Sequence, residues 1–273
     1  MSKGFKLLRV EYLFSVLIPC LLCIYLNGYD LVSHIWILAG FAFYAITGNT
    51  LNDVIDMTDP NEKETLQRVK GYSRKEISVL SIASFLLGTM CFMNDILANP
   101  LLGIYLIIIV LMVVFYCLFK SLLIINHIIL GISHILLPYF MIKINEGDLL
   151  PPMNIFPDMN LFEALILAAI IAVAFTGQMV HEMIDGDSLA KLKPRTSQLV
   201  ILTSCSISII IAVISFIVTN FLVFLPIMFF PFGIIYVFRK PRTDLLGRTS
   251  LKDIGIILGN LMFAYMFILI YAS

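Results

Sequence analysis

The amino-acid sequence predicts an all-α fold, a polytopic membrane bundle of about nine transmembrane helices. Hydrophobic residues make up 60% of the 273 residues and charged residues 13%, and the mean hydropathy is +0.99. One soluble core of this length cannot bury so much apolar side chain. At roughly 20 apolar residues for each crossing of a ~30 Å hydrocarbon layer, spans and short loops account for the chain. We therefore expect a single transmembrane domain over residues 1–273, in contact with membrane lipid.

Nine apolar runs, separated at Gly, Pro, Asn and clusters of charge, supply the helices in chain order. The first run follows Lys3, Lys6 and Arg9, has no small-residue cleavage site and continues past Pro19. It predicts a retained span rather than a signal peptide. The predicted spans cover residues 12–28, 31–51, 76–94, 101–119, 121–142, 161–182, 198–219, 221–238 and 253–271.

The basic residues predict how these spans are oriented, because short cytoplasmic loops retain Lys and Arg. With the N-terminus inside, every Lys and Arg except Lys143 falls on the inner side, mainly in the segments 57–75, 184–197 and 239–252. We therefore expect the N-terminus and these segments to be cytoplasmic. The 18 basic and 18 acidic residues cancel, which predicts no nucleic-acid partner.

A first acidic cluster lies at the inner end of the second span and contains Asn52, Asp53, Asp56 and Asp59. Asn52 and Asp56 are four residues apart, and Asp56 is three residues from both Asp53 and Asp59. On a helix these spacings place most of the oxygen atoms on one face.

A second acidic cluster, Glu182, Asp185 and Asp187, lies at the end of the sixth span. The second and sixth spans run in the same direction, so both clusters are expected at the same membrane face. Each cluster is followed by a basic segment. Solvated helix ends are the ordinary explanation for one such cluster, whereas two matched clusters favour a binding site.

The chemistry of the two clusters points to a magnesium–diphosphate site. Like charges at these spacings repel each other in a poorly hydrated setting unless a cation joins them. Hard oxygen ligands suit Mg2+, which is commonly shared between carboxylates and substrate phosphate oxygens. Basic residues of the following segments would neutralise the remaining negative charge.

The stretch 48–59, GNTLNDVIDMTD, resembles the first aspartate-rich motif, NDxxDxxxD, of the UbiA superfamily of intramembrane prenyltransferases. Tyr116 and Lys120 are similar to the YxxxK motif of that family, and residues 181–187, HEMIDGD, are similar to its second aspartate motif. The family motif is DxxxD. Position 181 is His when Asp185 is taken as its last aspartate, and position 183 is Met when Asp187 is taken instead, so Glu182 and Asp185 are the best substitute pair. Looser similarities lie at Arg68, Gly71, Ser73, Arg74 and Glu76, and at Arg195 and Thr196.

The resemblance implies a nine-helix bundle with a central apolar cavity and a role for each matched residue. It implies a Mg2+ cofactor held by Asn52, Asp53, Asp56, Asp59, Glu182, Asp185 and Asp187. It implies that the diphosphate contacts Asn52, Arg68 and Lys120. Asp56, Asp185, Lys120 and Tyr116 are implied to be catalytic, the last by cation–π contact with an allylic cation. On residue type alone, Tyr116 and Lys120 would instead be interfacial anchors.

The implied reaction moves a prenyl group from a prenyl diphosphate to a hydrophobic or amphiphilic acceptor and releases pyrophosphate. Aromatic compounds, quinone precursors and lipid alcohols are the acceptor classes considered. One alternative is a terpene cyclase that uses the same metal–diphosphate site. An ion-coupled secondary transporter is an alternative of another class, because such carriers also place acidic groups in corresponding spans. His34, His127 and His134 have no titratable neighbours at helical spacing, which favours packing or interfacial roles for them.

Overall fold

Twelve α-helices form the described part of the computed structural model, which comprises residues 4–58, 60, 63–118, 123–151, 154–185, 188–241 and 249–272. The helices are α1 Phe5–Leu8, α2 Phe14–Asn27, α3 Ile35–Asp56, α4 Lys63–Arg68, α5 Arg74–Ala98, α6 Pro100–Leu118, α7 Leu123–Gly131, α8 Leu137–Glu146, α9 Leu161–Asp185, α10 Pro194–Thr219, α11 Phe229–Val237 and α12 Thr249–Ala272. Short 3-10 helices cover Val10–Tyr12, Val32–His34, Ser188–Lys191 and Leu222–Met228, and a π-helical turn at Ile132–Leu136 joins α7 to α8. These residues include no strand, only an isolated bridge between Leu149 and Pro157. The all-α prediction is confirmed.

Among the described residues, seven helices are long and apolar enough to cross a membrane. They are Phe5–Asn27, Arg74–Ala98, Pro100–Leu118, Ile125–Glu146, Leu161–Ile184, Pro194–Thr219 and Leu251–Ala272. The predicted count of nine is not confirmed, because two predicted spans correspond to helices of a different character.

The first of these two helices, α3, is long enough to span a bilayer, with 22 residues. Its second half carries Thr47, Asn49, Thr50 and Asn52, and these polar side chains lower its hydropathy. The second, Leu222–Val237, is a shorter apolar helix. It begins as a 3-10 segment around Pro226, which has no N–H to donate to a regular helical ladder.

The helices group into two compact units. Unit one comprises α1 to α6, α8 and the part of α12 from Phe263 onward, and unit two comprises α7, α9 to α11 and the part of α12 up to Met262. The first acidic cluster therefore belongs to unit one and Glu182 to unit two. The prediction of a single domain stays a prediction.

In unit one, α3 and α5 pack closely because small residues allow their backbones to approach. A Cβ atom on Gly40 would lie only 2.6 Å from the ring of Phe92. The Tyr44 hydroxyl lies 2.9 Å from the Thr89 hydroxyl across the same interface. Beyond this contact, Val54 near the end of α3 packs in one buried cluster with Ile77 near the start of α5. This pairing fixes the last turn of α3, where the first acidic cluster lies.

In unit two, buried hydroxyl groups join α9 to α10. Thr176 Oγ1 lies 2.7 Å from the hydroxyl oxygens of both Ser204 and Ser208, and Ser208 also donates to the Ala172 carbonyl. Such interhelical hydrogen bonds are a recurrent means of joining helices in an apolar environment. They hold α9, whose last turns carry Glu182.

Candidate active site

The last turn of α3 places an amide and a carboxylate side by side in a buried setting. Asn52 Nδ2 donates to Asp56 Oδ2 at 2.7 Å, as the i, i+4 spacing predicts. Asp56 is buried, and Asn52 Oδ1 is a buried oxygen with no hydrogen-bond partner in the described part of the chain. A buried polar atom without a partner is costly unless another group satisfies it. The turn therefore offers one unsatisfied amide oxygen next to a carboxylate.

Asp53, on the same turn, forms a bidentate ion pair with Arg68 at the end of α4. Arg68 Nε donates to Asp53 Oδ2 at 3.0 Å, and Arg68 Nη2 donates to Oδ1 at 2.6 Å. The Asp53 side chain is fully buried and that of Arg68 is 13% exposed. Arg68 also donates to Thr65 Oγ1 and to Glu64 Oε1, at 3.1 and 3.4 Å. The pair anchors the segment after α3 to the acidic turn.

Arg9 brings a second guanidinium group to Asp53. Its Nη1 lies 4.0 Å from Asp53 Oδ1, and its guanidinium carbon lies 4.4 Å from the centre of the Tyr12 ring. The backbone of Arg9 is left-handed, with φ of 48°, a conformation that costs a non-glycine residue free energy. The bend that it makes separates α1 from the following 3-10 helix and directs the side chain to the acidic turn.

The surroundings of Arg68 preserve its positive charge although its side chain is largely buried. Burial is the largest influence and lowers the pKa of Arg68, but its hydrogen bonds to Asp53 and the charges of Asp53 and Glu64 outweigh it, so the pKa is raised. Arg68 therefore remains positively charged, and Asp53 has a strong partner.

The segment before α5 is fixed by its own hydrogen bonds. The Ser73 side chain accepts from the Glu76 backbone N–H, and the Glu76 carboxylate accepts from the Ser73 N–H at 2.7 Å. This is a capping box, which satisfies backbone donors at a helix start. Gly71 precedes it with φ of 97°, a conformation that favours glycine. These residues of the basic segment thus shape the backbone that leads into α5.

The donor set at the acidic turn fits Mg2+ as a partial site. The Asn52 amide oxygen and the Asp56 carboxylate are hard oxygen donors, as Mg2+ prefers. In the described ranges, no group of three or more His, Cys, Asp or Glu side chains is arranged to hold a metal ion. Two protein donors suffice where phosphate oxygens and waters complete the coordination.

A sequence model of the UbiA prenyltransferase family matches residues 16–245. The chain belongs to the UbiA prenyltransferase family. The resemblance found in the acidic motifs is thereby confirmed, and the match extends over most of the predicted spans. No curated protein matches the chain with significant similarity.

Solved structures of a UbiA homologue from Archaeoglobus fulgidus have the same fold. One matches with a TM-score of 0.71 at 16% identity, covering 99% of this chain and 100% of the other. The homologue bound to GPP and Mg2+ matches with a TM-score of 0.69, at 16% identity and the same coverage. Its form bound to DMAPP and Mg2+ matches with a TM-score of 0.67 at 16% identity, covering 100% of both chains. The prediction of a UbiA-like membrane helical fold is confirmed.

The structure describes some of the other UbiA motif residues and not others. Tyr116 is half-buried in the last turn of α6. Asp185 is the last residue of α9, but its side chain lies outside the described part of the structure, as do the whole residues Asp59, Lys120 and Asp187. The roles that the sequence assigned to these five residues stay predictions.

Two contacts of candidate site residues, one in each unit, were not predicted from the sequence. The sequence assigned Asp53 to a metal ion and Arg68 to the diphosphate, whereas the structure pairs these residues with each other. In unit two, the Nε2 atom of His127 in α7 lies 3.6 Å from Glu182 Oε1. At helical spacing, the sequence places no titratable neighbour beside His127. Both contacts join different segments of the chain, so neither leaves a periodic signal in the sequence. Only the clustering of polar residues inside apolar spans could have suggested them.

Proposed function

We propose that the chain catalyses Mg2+-dependent transfer of a prenyl group from a prenyl diphosphate to a hydrophobic or amphiphilic acceptor, with release of pyrophosphate. The observation that carries the proposal is the Asn52–Asp56 pair, in which a buried amide oxygen with no partner among the described residues lies beside a buried carboxylate. The chain belongs to the UbiA family and has the fold of a homologue whose structures contain GPP or DMAPP with Mg2+. We therefore place metal ligands at the Asn52–Asp56 pair.

The proposed roles divide among the residues of the acidic turn. Mg2+ held by Asn52 and Asp56 would supply positive charge that stabilises the departing diphosphate. Asp53, already paired with Arg68, keeps the turn and the following segment together. The positive charges of Arg68 and Arg9 favour binding of the diphosphate anion near this turn.

The remaining roles follow from the UbiA motifs. We propose that Lys120 contacts the diphosphate, that Tyr116 faces the allylic cation, and that Glu182, Asp185 and Asp187 supply the second acidic group. The cation is shielded from water in an apolar bundle, and an acceptor carbon or oxygen attacks it and then loses a proton. Aromatic compounds, quinone precursors and lipid alcohols remain the proposed acceptor classes.

The test uses the purified protein in detergent. It is incubated with Mg2+, prenyl diphosphates of several chain lengths and an acceptor panel of aromatic acids, quinone precursors and lipid alcohols. Pyrophosphate release and product mass are measured, with chelated Mg2+ as the blank. We expect pyrophosphate release that depends on Mg2+ and a product whose mass is that of the acceptor plus the prenyl group minus one hydrogen atom.

A matched pair of variants separates the metal site from general effects. Asp56→Asn keeps the size of the side chain but removes the charge, and should abolish most of the activity. Asp30→Asn is the control, because Asp30 is exposed and precedes the other end of α3, about 33 Å away along a helix of this length. A folded wild-type protein that releases no pyrophosphate from any prenyl diphosphate would refute the proposal. Pyrophosphate release with a cyclic hydrocarbon or alcohol as product, in the absence of acceptor, would assign the protein to the cyclase alternative.

A further inference from the structure

We propose that His127 is a positioning residue for Glu182, an inference that rests on the proposed function. His127 lies in α7 and Glu182 near the end of α9, and both belong to unit two. His127 Nε2 is 3.6 Å from Glu182 Oε1, and the two side chains are 3% and 13% exposed. This distance is longer than a hydrogen bond, so the imidazole is placed to limit the orientation of the carboxylate by close contact.

The surroundings of His127 restrict the ring. It lies against Phe175, with ring centroids 5.1 Å apart and planes inclined by 58°. Phe175 precedes Glu182 by seven residues on α9, so it lies on about the same face of that helix, two turns earlier. One histidine therefore contacts α9 at two successive positions along a single face. This arrangement fixes the ring relative to the carboxylate.

A carboxylate in this position needs a polar partner. Glu182 lies inside an apolar helix, and ionisable residues in such spans are rare and pair with a specific partner. When Asp185 is taken as the last aspartate of the UbiA motif, position 181 is His in this chain. Glu182 stands one residue later and therefore points to a different angle on the helix. Because Glu182 leaves the helix at this different angle, its carboxylate needs a neighbouring group to orient it. His127 is placed to be that group.

Groups that orient a metal ligand affect metal affinity without contacting the metal, typically by 10-fold to 100-fold. His127→Phe keeps a ring against Phe175 but removes the nitrogen atoms. We expect it to raise the Mg2+ concentration that gives half-maximal activity by about 10-fold. The same increase is expected in a second readout, the thermal stabilisation of the purified protein by Mg2+ with inorganic pyrophosphate. His127→Gln, which keeps an N–H donor, should restore most of the Mg2+ affinity.

Two further variants distinguish positioning from packing. Phe175→Leu removes the ring contact but leaves His127 and Glu182 in place, so it should lower the melting temperature and raise the Mg2+ midpoint by much less than His127→Phe does. In a Glu182→Gln background, adding His127→Phe should change the midpoint no further, because His127 acts through Glu182. If His127→Phe does not fold, His127→Met makes the same comparison with a flexible apolar side chain.

The outcomes separate the two levels of the proposal. A wild-type protein that is active and stabilised by Mg2+, with a folded His127→Phe variant of unchanged midpoint, would overturn the role of His127 alone. An equal effect of His127→Phe in the wild-type and Glu182→Gln backgrounds would also overturn it. A wild-type protein with neither prenyl transfer nor stabilisation by Mg2+ overturns the proposed function and the role of His127 together.

Discussion

Removal of Arg68 tests whether the buried pair with Asp53 anchors the acidic turn. Arg68→Met keeps much of the apolar stem and removes both hydrogen bonds to Asp53, whose side chain is fully buried. An uncompensated buried charge typically costs 3–5 kcal/mol. Arg9 remains 4.0 Å from the same carboxylate and offsets part of this cost. We therefore expect a loss of about 3 kcal/mol in the free energy of unfolding, the lower end of the range for such pairs.

A double-mutant cycle measures the pair itself. Asp53→Asn should also destabilise the protein, because Arg68 then loses its charged partner, although Glu64 still accepts one of its hydrogen bonds. The double variant should be less destabilised than the sum of the single variants, since neither charge is left alone, and coupling in such networks reaches 0.5–3 kcal/mol. Arg68→Lys keeps the charge but cannot form the two parallel bonds, so its loss should be intermediate.

Unfolding of the purified protein in mixed detergent–SDS micelles supplies the free energies for the wild type, the three single variants and the double variant. Additive losses, or an Arg68→Met variant as stable as the wild type, would refute the anchoring role of the pair. Arg68→Met should also reduce turnover, because the segment after α3 loses its attachment to the turn. If the double variant regains stability but not activity, Arg68 or Asp53 contributes directly to catalysis.

Four further predictions concern the candidate site, the Asp148 ion pair and the orientation of the chain in the membrane. Asp56→Ala should lower turnover by about 100-fold, which is the scale expected for the loss of an electrostatic stabiliser. Asp59→Ala should lower turnover less in the same assay, because Asp59 stands one residue before the third aspartate position of the motif. Lys120→Met should lower turnover sharply and Lys120→Arg only in part, whereas equal rates for all three proteins would exclude a diphosphate contact. Burial is the largest influence on Asp148 and raises its pKa, but hydrogen bonds from Lys143 and Tyr29 outweigh burial and leave the pKa below its usual range. The ionised Asp148 therefore stabilises the folded protein above pH of about 4, and this stabilisation is lost as the pH falls through the lowered pKa. Melting temperatures measured between pH 7 and pH 3 should show this loss in the wild type and a smaller loss in Asp148→Asn. A cysteine placed at Ser73 should react with an impermeant reagent only from the cytoplasmic side, and labelling only from outside would reverse the predicted orientation.

Local spacing predicted the part of the site that lies on one helix. Asn52 and Asp56 are four residues apart, and the structure joins them by a 2.7 Å hydrogen bond. The pairing of Asp53 with Arg68 and of Glu182 with His127 could not be predicted in this way. Each depends on how separate segments pack, and periodicity contains no information about that packing.

The span count shows a similar limit for hydropathy. Seven of the predicted spans correspond to helices with enough apolar residues, but α3 carries its polar cluster within the helix and not beyond its end. A helix that supplies a polar site must give up apolar residues, so its hydropathy falls. The helix that carries the first motif is therefore one that hydropathy identifies least well.

Lys143 is an exception to the predicted charge distribution that the structure explains. It is the only basic residue assigned to the outer side by the sequence, and its side chain is buried. Its Nζ lies 2.8 Å from Asp148 Oδ2, and the Tyr29 hydroxyl donates to the same oxygen at 2.8 Å. The orientation rule concerns positive charges that a loop would have to carry across the membrane. A lysine paired with a carboxylate a few residues along the chain adds little net charge, so Lys143 does not contradict the predicted orientation.

We expect the residues of the first acidic motif to have different tasks, because their contacts differ although their spacing makes them equivalent. Asn52, Asp53 and Asp56 share a helical turn, and by spacing all three are equivalent candidates for a metal ion. Asp53 already has the bidentate partner Arg68 and a second guanidinium at 4.0 Å, so a metal ion there would have to displace a buried ion pair. Among the residues that the structure describes, the Asn52 oxygen has no hydrogen-bond partner, so a metal ion there would displace none of them. The free-energy cost of breaking the Asp53 pair therefore favours Asn52 and Asp56 as the ligands and Asp53 as the residue that holds the turn in place.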